Sequence, residues 1–214
     1  MGQVVSVNVG RAVAAPWGKA TKRTAIDKRP VMTRVAVGRL GVAGDEQADK
    51  ANHGGQEQAV YAYAREDLDW WAGQLGDGEL RSGIFGENLT LHGLDVSGAL
   101  LGERWRVGSA LLEVTGPRVP CGVFRVWMGR PSWVKQFTEA ERTGAYLRVL
   151  EDGDVAAGDP AVVEHRPERG AGVTVTGSFR AFHGDQDLMR RILALPGHST
   201  RWDQVAERVL RSPA

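Results

Sequence analysis

Residues 105–121 read WRVGSALLEVTGPRVPC. Two short runs in it, Trp105 to Val107 and Leu111 to Thr115, are apolar or alternating and are broken at glycine, which is the pattern of strands. Similar runs occur at Val4 to Val9, Val31 to Val37 and Ala59 to Tyr63, so the first two-thirds of the chain form a strand-rich body. The chain's 28 glycines favour a sheet that closes on itself over an alternating doubly wound fold. The expectation is a mainly β, barrel-like fold with some α; the strand order is not readable.

One helix interrupts the strands. Leu68, Trp71, Ala72 and Leu75 recur at helical spacing, Arg65, Glu66, Asp67 and Asp69 supply a polar face, and Gly76 marks the end. Its tryptophans are read as packing rather than as a stacking platform. The polar connection EHRPERGAG, residues 164–172, divides a barrel domain of residues 1–165 from a connection and C-terminal helical subdomain of residues 166–214. There the run VTVTGSF reads as strand-like, Leu188, Met189, Ile192 and Leu193 share one helical face, and Thr200 with Asp203 resembles a capping box. Trp202, Val205, Ala206, Val209 and Leu210 form the last stripe. Two short helices cannot bury these stripes alone, so they dock on the body or on a second copy as a homodimer.

A chain of 214 residues can bury a substantial single core. No stretch approaches the roughly 20 apolar residues that span a bilayer, so no membrane segment is expected. The N-terminus lacks the basic and apolar segments of a secretory signal, and the expected location is cytoplasmic. One cysteine rules out an internal disulfide, a Cys-x-x-Cys zinc ribbon or a cysteine-held iron–sulfur cluster within this chain. A formal charge of +1 gives no global case for a nucleic acid polymer, so a small molecule is the expected partner.

Four segments could carry chemistry. In GPRVPCGVF, residues 116–124, Pro117 and Pro120 fix the approach to Cys121, and Arg118 favours the thiolate or pairs an anion; a lone cysteine also reads as a small buried hydrophobe. In the polar stretch of residues 44–63, Asp45, Asp49, Asn52 and His53 run into Gly54 and Gly55, whose backbone freedom permits close approach to a ligand. His53 serves either a ligand site or a hydrogen-bonded turn. In GIFGENLTLHG, residues 83–93, Glu87 and Asn88 sit at a glycine turn. Residues 19–31 gather Lys19, Lys22, Arg23, Lys28 and Arg29 around Thr21 and Thr24, which suits a phosphate as well as it suits solvated surface.

The ordered series LGVAGDEQAD, NHGG, AVYAYAREDLDWW, FGENLT, GERWRVG, LEVTGPRVPC and GVTV resembles the MOSC domain family, and within it the YiiM-like subfamily, over about residues 5–165. The resemblance implies a MOSC β-barrel holding the molybdenum cofactor, a molybdopterin with a terminal phosphate, and Cys121 as the protein's ligand to the metal. It implies that Thr24 and Lys28, with Arg29 adjacent, lie near the phosphate, and that Asn52, His53, Gly54, Gly55, Glu87, Asn88 and Arg118 line the cofactor or the substrate entrance. The implied activity is reduction of N-hydroxylated compounds such as hydroxylaminopurines or amidoximes, with Cys121 on the metal and His53 a candidate proton donor. Electrons then come from a separate reductase, because the chain has no flavin or haem motif and no cysteine set for a cluster. Two other classes remain open: a non-catalytic cofactor carrier or insertion module, and a metal-free cysteine enzyme using Cys121 and His53.

Overall fold

The computed structural model describes residues 2–15, 23–48, 54–168 and 172–211. Seven strands make the body: β1 (Gly2–Val9), β2 (Val60–Ala64), β3 (Leu89–His92), β4 (Arg104–Val107), β5 (Ala110–Pro117), β6 (Ala145–Glu151) and β7 (Pro160–His165). Their neighbour order is β7-β4-β5-β6-β2-β3-β1, and pairing of Gly2 with Ala161 and Gln3 with Pro160 joins the last strand to the first. The sheet is therefore a closed barrel, as expected.

The alternation in the sequence explains the geometry. On β4, Trp105 and Val107 face the core, while Arg104 and Arg106 face outward and reach Glu113, Glu151 and Glu164. On β5 all eight residues are buried, because other elements cover the outer face of this strand. Neighbouring strands are antiparallel except β2 and β3, which run parallel with α1 (Arg65–Leu75) in the crossover between them. Gly76, with φ of 65°, ends that helix where the sequence predicts.

Leu68, Trp71 and Ala72 of α1 pack inward as expected. Their partners lie on two helices that the sequence reading does not contain, α2 (Gly122–Met128) and α3 (Trp133–Ala140). Trp71, Phe85, Phe124, Trp133 and Phe137 form an aromatic cluster outside the barrel, with Trp71 and Trp133 centroids 4.8 Å apart. Each such buried side chain contributes about 1.5–3 kcal/mol. α2 has only two turns before Gly129 and Pro131, too short to display a full apolar period.

The C-terminal region is α4 (Val175–Phe182), α5 (Gln186–Leu193) and α6 (Arg201–Val209). The VTVTGSF run is helical from Val175, because Thr174 caps it by accepting from the Gly177 N–H at 2.9 Å; the cap outweighs the β-branched composition. Thr200 makes no side-chain cap bond, so the expected capping box is absent. Met189, Ile192, Trp202, Ala206 and Val209 join the barrel's own core, which settles the docking of these stripes on the body. Among the described residues no helix is long and apolar enough to cross a membrane.

Candidate active site

A cavity of about 660 Å³ opens where β5 leaves the barrel. Thr24, Lys28, Gly54, Asn88, Arg118 and Cys121, drawn from all four segments singled out in the sequence, lie on its wall. Arg23, Asp45, Tyr61, Arg125 and Tyr146 complete much of the rest. The volume is in the range of small-molecule and cofactor sites.

Cys121 follows the proline-stiffened exit of β5 and is the residue before α2, whose Arg125 N–H donates to the Cys121 carbonyl at 3.0 Å. α2 is itself fixed: the Trp127 indole N–H donates to the Ile84 carbonyl at 2.7 Å. The cysteine is half-buried. Arg118, three residues earlier, is 7% exposed. Its Nη1 donates to the Phe85 carbonyl at 2.9 Å, and its guanidinium lies 4.1 Å from the Phe124 ring and 5.3 Å from the Tyr61 ring. Arg118 Nε is buried and makes no hydrogen bond, so the cavity contains a cationic donor with spare capacity. Burial works against that charge, and Tyr146, Tyr61, Cys121 and Glu87 together outweigh it and raise the pKa of Arg118.

Lys28 and Asp45 form a nearly solvent-free ion pair, with side-chain exposures of 10% and 6%. Asp45 also accepts from the Gly10 N–H at 2.8 Å and from Asn88 Nδ2 at 2.9 Å. Asn88 in turn accepts from the Tyr61 N–H at 3.1 Å. One carboxylate thus ties β1, the loop before β3 and the basic loop together. Burial lowers the pKa of Lys28 against the attraction of Asp45. Asp45 reads in the sequence only as part of a polar stretch; its role needs contacts 17, 35 and 43 residues apart.

Other expected site residues fall elsewhere. Glu87 is fully buried behind the cavity wall, where it accepts from Phe85 N and Thr90 Oγ1 at 3.0 Å each and from the Gly83 N–H, so it shapes the turn rather than facing a ligand. Burial raises its pKa. Arg29 projects to solvent beside Asp27 and is not part of the wall. Gly55 lies behind Gly54, its N–H donating to Gln47 Oε1 at 3.0 Å; with φ of 79° it supplies the turn and not the wall. Asn52 and His53, with Lys19, Thr21, Lys22 and Asp49, lie outside the described residues.

Such a barrel with a cysteine and a cationic cavity at a strand exit defines a class. The chain belongs to the MOSC domain family, whose domain matches residues 49–162. It is 32% identical over 209 residues to the protein YiiM of Escherichia coli (strain K12), covering 95% of this chain and 91% of that protein. It is 33% identical over 201 residues to the uncharacterized protein YflK of Bacillus subtilis (strain 168), covering 93% and 90%. A protein named reductase from Gibberella moniliformis (strain M3125 / FGSC 7600) is 29% identical over 216 residues; the match takes in 99% of this chain and 38% of that longer protein. The crystal structure of YiiM from Geobacillus stearothermophilus superposes with a TM-score of 0.79 at 30% identity, over 98% of this chain and all of that one.

The residues present fit the cofactor that the family resemblance implies. Among the described residues no three His, Cys, Asp or Glu side chains gather to hold a metal, and Cys121 is the soft donor on the cavity wall. Lys28 has three ammonium hydrogens and directs one to Asp45, and Arg118 Nε is unbonded, which leaves donors for an anionic group.

Proposed function

We propose that this protein is a molybdenum-cofactor-dependent oxidoreductase that reduces N-hydroxylated compounds, such as hydroxylaminopurines or amidoximes, with electrons from a separate reductase. The observation that carries the reading is that the chain's single cysteine and a buried arginine with an unbonded Nε share one cavity with Lys28 and Thr24. When bound, the cofactor supplies the two-electron couple that removes oxygen from an N–OH group. Cys121 is the thiolate that holds it. Lys28, Thr24 and Arg23 bind its phosphate, a group that takes point charges and hydroxyl hydrogen bonds together. Arg118 holds anionic oxygen deeper in the cavity, where low local polarity strengthens the contact. The reductase-named relative, of which this chain matches only part, agrees with a redox role.

The test is production in a host that makes the cofactor, followed by metal and pterin analysis of wild type and Cys121→Ser, with turnover of benzamidoxime by an artificial electron donor. Stoichiometric molybdenum in the wild type, its loss in a folded Cys121→Ser variant and turnover of the oxime support the reading. Cofactor held at full stoichiometry without turnover of any N-hydroxylated compound points to a carrier instead. Protein that retains neither molybdenum nor pterin overturns both.

A further inference from the structure

The chain has three tyrosines, and their hydroxyls are treated differently. Tyr61 donates to the Thr143 carbonyl at 2.8 Å and Tyr63 to the Arg142 carbonyl at 2.6 Å, which ties both phenols to backbone. Among the described residues nothing is hydrogen-bonded to the hydroxyl of Tyr146. Yet Tyr146 is the aromatic residue placed centrally: it lies on β6 opposite Tyr61 of β2 on one side and Gly116 of β5 on the other. Gly116 has no side chain to cover the ring, and it stands five residues before Cys121.

Tyr146 also lines two cavities. The first is the large one that contains Cys121 and Arg118; the second, of about 40 Å³, lies against α6 and is walled by Arg201, Trp202 and Ser199 as well. The ring is held from one side by Tyr61, whose centroid is 5.1 Å away. Burial raises the phenol's pKa, with Arg118 and Arg201 opposing it, so the group keeps its proton at neutral pH. A half-buried phenol that is held in place and donates to no group among the described residues is a donor available to a ligand in the cavity it lines.

We infer that Tyr146 is the specificity-determining residue of the site, its phenol O–H donating to the oxygen of a substrate's N–OH group, with the C-terminal helix α6 forming the wall behind it. This rests on the reductase reading above and deepens it, since it assigns recognition of the oxygen to a residue that composition and motif leave unmarked. It also gives the C-terminal helices a part in the site rather than in stability alone.

The test compares two ligands that differ by one oxygen, N6-hydroxyladenine and adenine, in equilibrium binding to cofactor-loaded wild type and Tyr146→Phe. Molybdenum content and melting temperature are measured on both proteins first, so that loss of cofactor or fold is seen separately. The expected result is a five- to tenfold weaker affinity of Tyr146→Phe for N6-hydroxyladenine, the loss typical of one neutral hydrogen bond, with adenine affinity unchanged. Equal affinities in the two proteins, or the same loss for both ligands, overturn the assignment of Tyr146 while leaving the reductase reading in place. If loaded wild type neither prefers N6-hydroxyladenine nor turns over any N-hydroxylated compound, the reductase reading fails and this inference falls with it.

Discussion

Asp45→Ala is expected to be among the most damaging single changes near the cavity. The carboxylate is the common acceptor for the Lys28 ammonium, the Gly10 N–H and the Asn88 amide. Without it three donors converge with no acceptor, one of them a charge whose side chain is only 10% exposed. Breaking a buried pair by removing one partner costs about 3–5 kcal/mol. For a chain of this size, at about 2–4 °C per kcal/mol, that lowers Tm by roughly 6–20 °C. Urea unfolding and thermal melts of Asp45→Ala measure the loss directly. Asp45→Asn keeps one acceptor and falls between. The double variant Lys28→Met with Asp45→Ala recovers much of the loss, because the stranded ammonium is gone, and this gives the cycle that isolates the pair. A single-variant loss below about 1 kcal/mol, the value of solvated surface pairs, would refute the reasoning. So would a double variant no more stable than Asp45→Ala.

Burial places the pKa of Glu87 above its ordinary 4.5. A carboxyl of that kind favours the folded state below its unfolded pKa, and the contribution is lost as pH rises through the folded pKa. Relative to Glu87→Gln, wild type therefore gains stability as pH falls from 7 towards 4.5, and a pH-independent difference in urea midpoint over that range contradicts this. Gly83 has φ of +80°, and a Cβ there would stand 2.4 Å from the Lys28 carbonyl oxygen. Gly83→Ala is expected to cost more than about 2 kcal/mol in urea unfolding, from backbone strain added to a contact with backbone that cannot swing aside; a loss below about 1 kcal/mol means that the 83–87 turn moves freely.

Four barrel strands, the barrel itself and α1 were legible because each carries its own period, whereas the Val31 to Val37 run is a strand only over Val35–Gly38, in a separate three-stranded sheet. Trp105 and Val107 alternate with Arg104 and Arg106, and Leu68, Trp71 and Ala72 keep helical spacing, so local pattern and burial agree. Cys121, Arg118, Thr24, Lys28, Gly54 and Asn88 were singled out by residue chemistry and by the family resemblance, and the fold brings all six to one cavity wall. Asp45 was read only as part of a polar stretch, and Tyr146 was not singled out. Asp45 acts through partners far away in sequence, and Tyr146 sits in the ordinary strand sequence AYLRVLE. Its place at the cavity follows from register, Tyr61 on one side and Gly116 on the other, which no single strand encodes. α2 and α3 escaped for a related reason: Phe124, Trp133 and Phe137 are buried against α1 and Phe85, and the two helices are too short to announce that face alone.

The loop that carries Cys121 is held at several points by distinct elements, each through a main-chain carbonyl. Trp202 of α6 donates to the Thr115 carbonyl at 3.1 Å and packs against Gly116, where a Cβ would meet its ring at 3.2 Å. Arg118 donates to the Phe85 carbonyl, and Trp127 of α2 to the Ile84 carbonyl. Both ends of the 116–127 segment are thus fixed, one to the C-terminal helices and the other to the turn organised by Glu87. In the proposed role, with Cys121 as the thiolate that holds the cofactor, the stiffness of this loop sets how the thiolate is presented. The C-terminal helices look separable in the sequence because a polar connection precedes them. The Trp202 contact makes them part of what holds Cys121 in place, so stability and site geometry depend on the same few bonds.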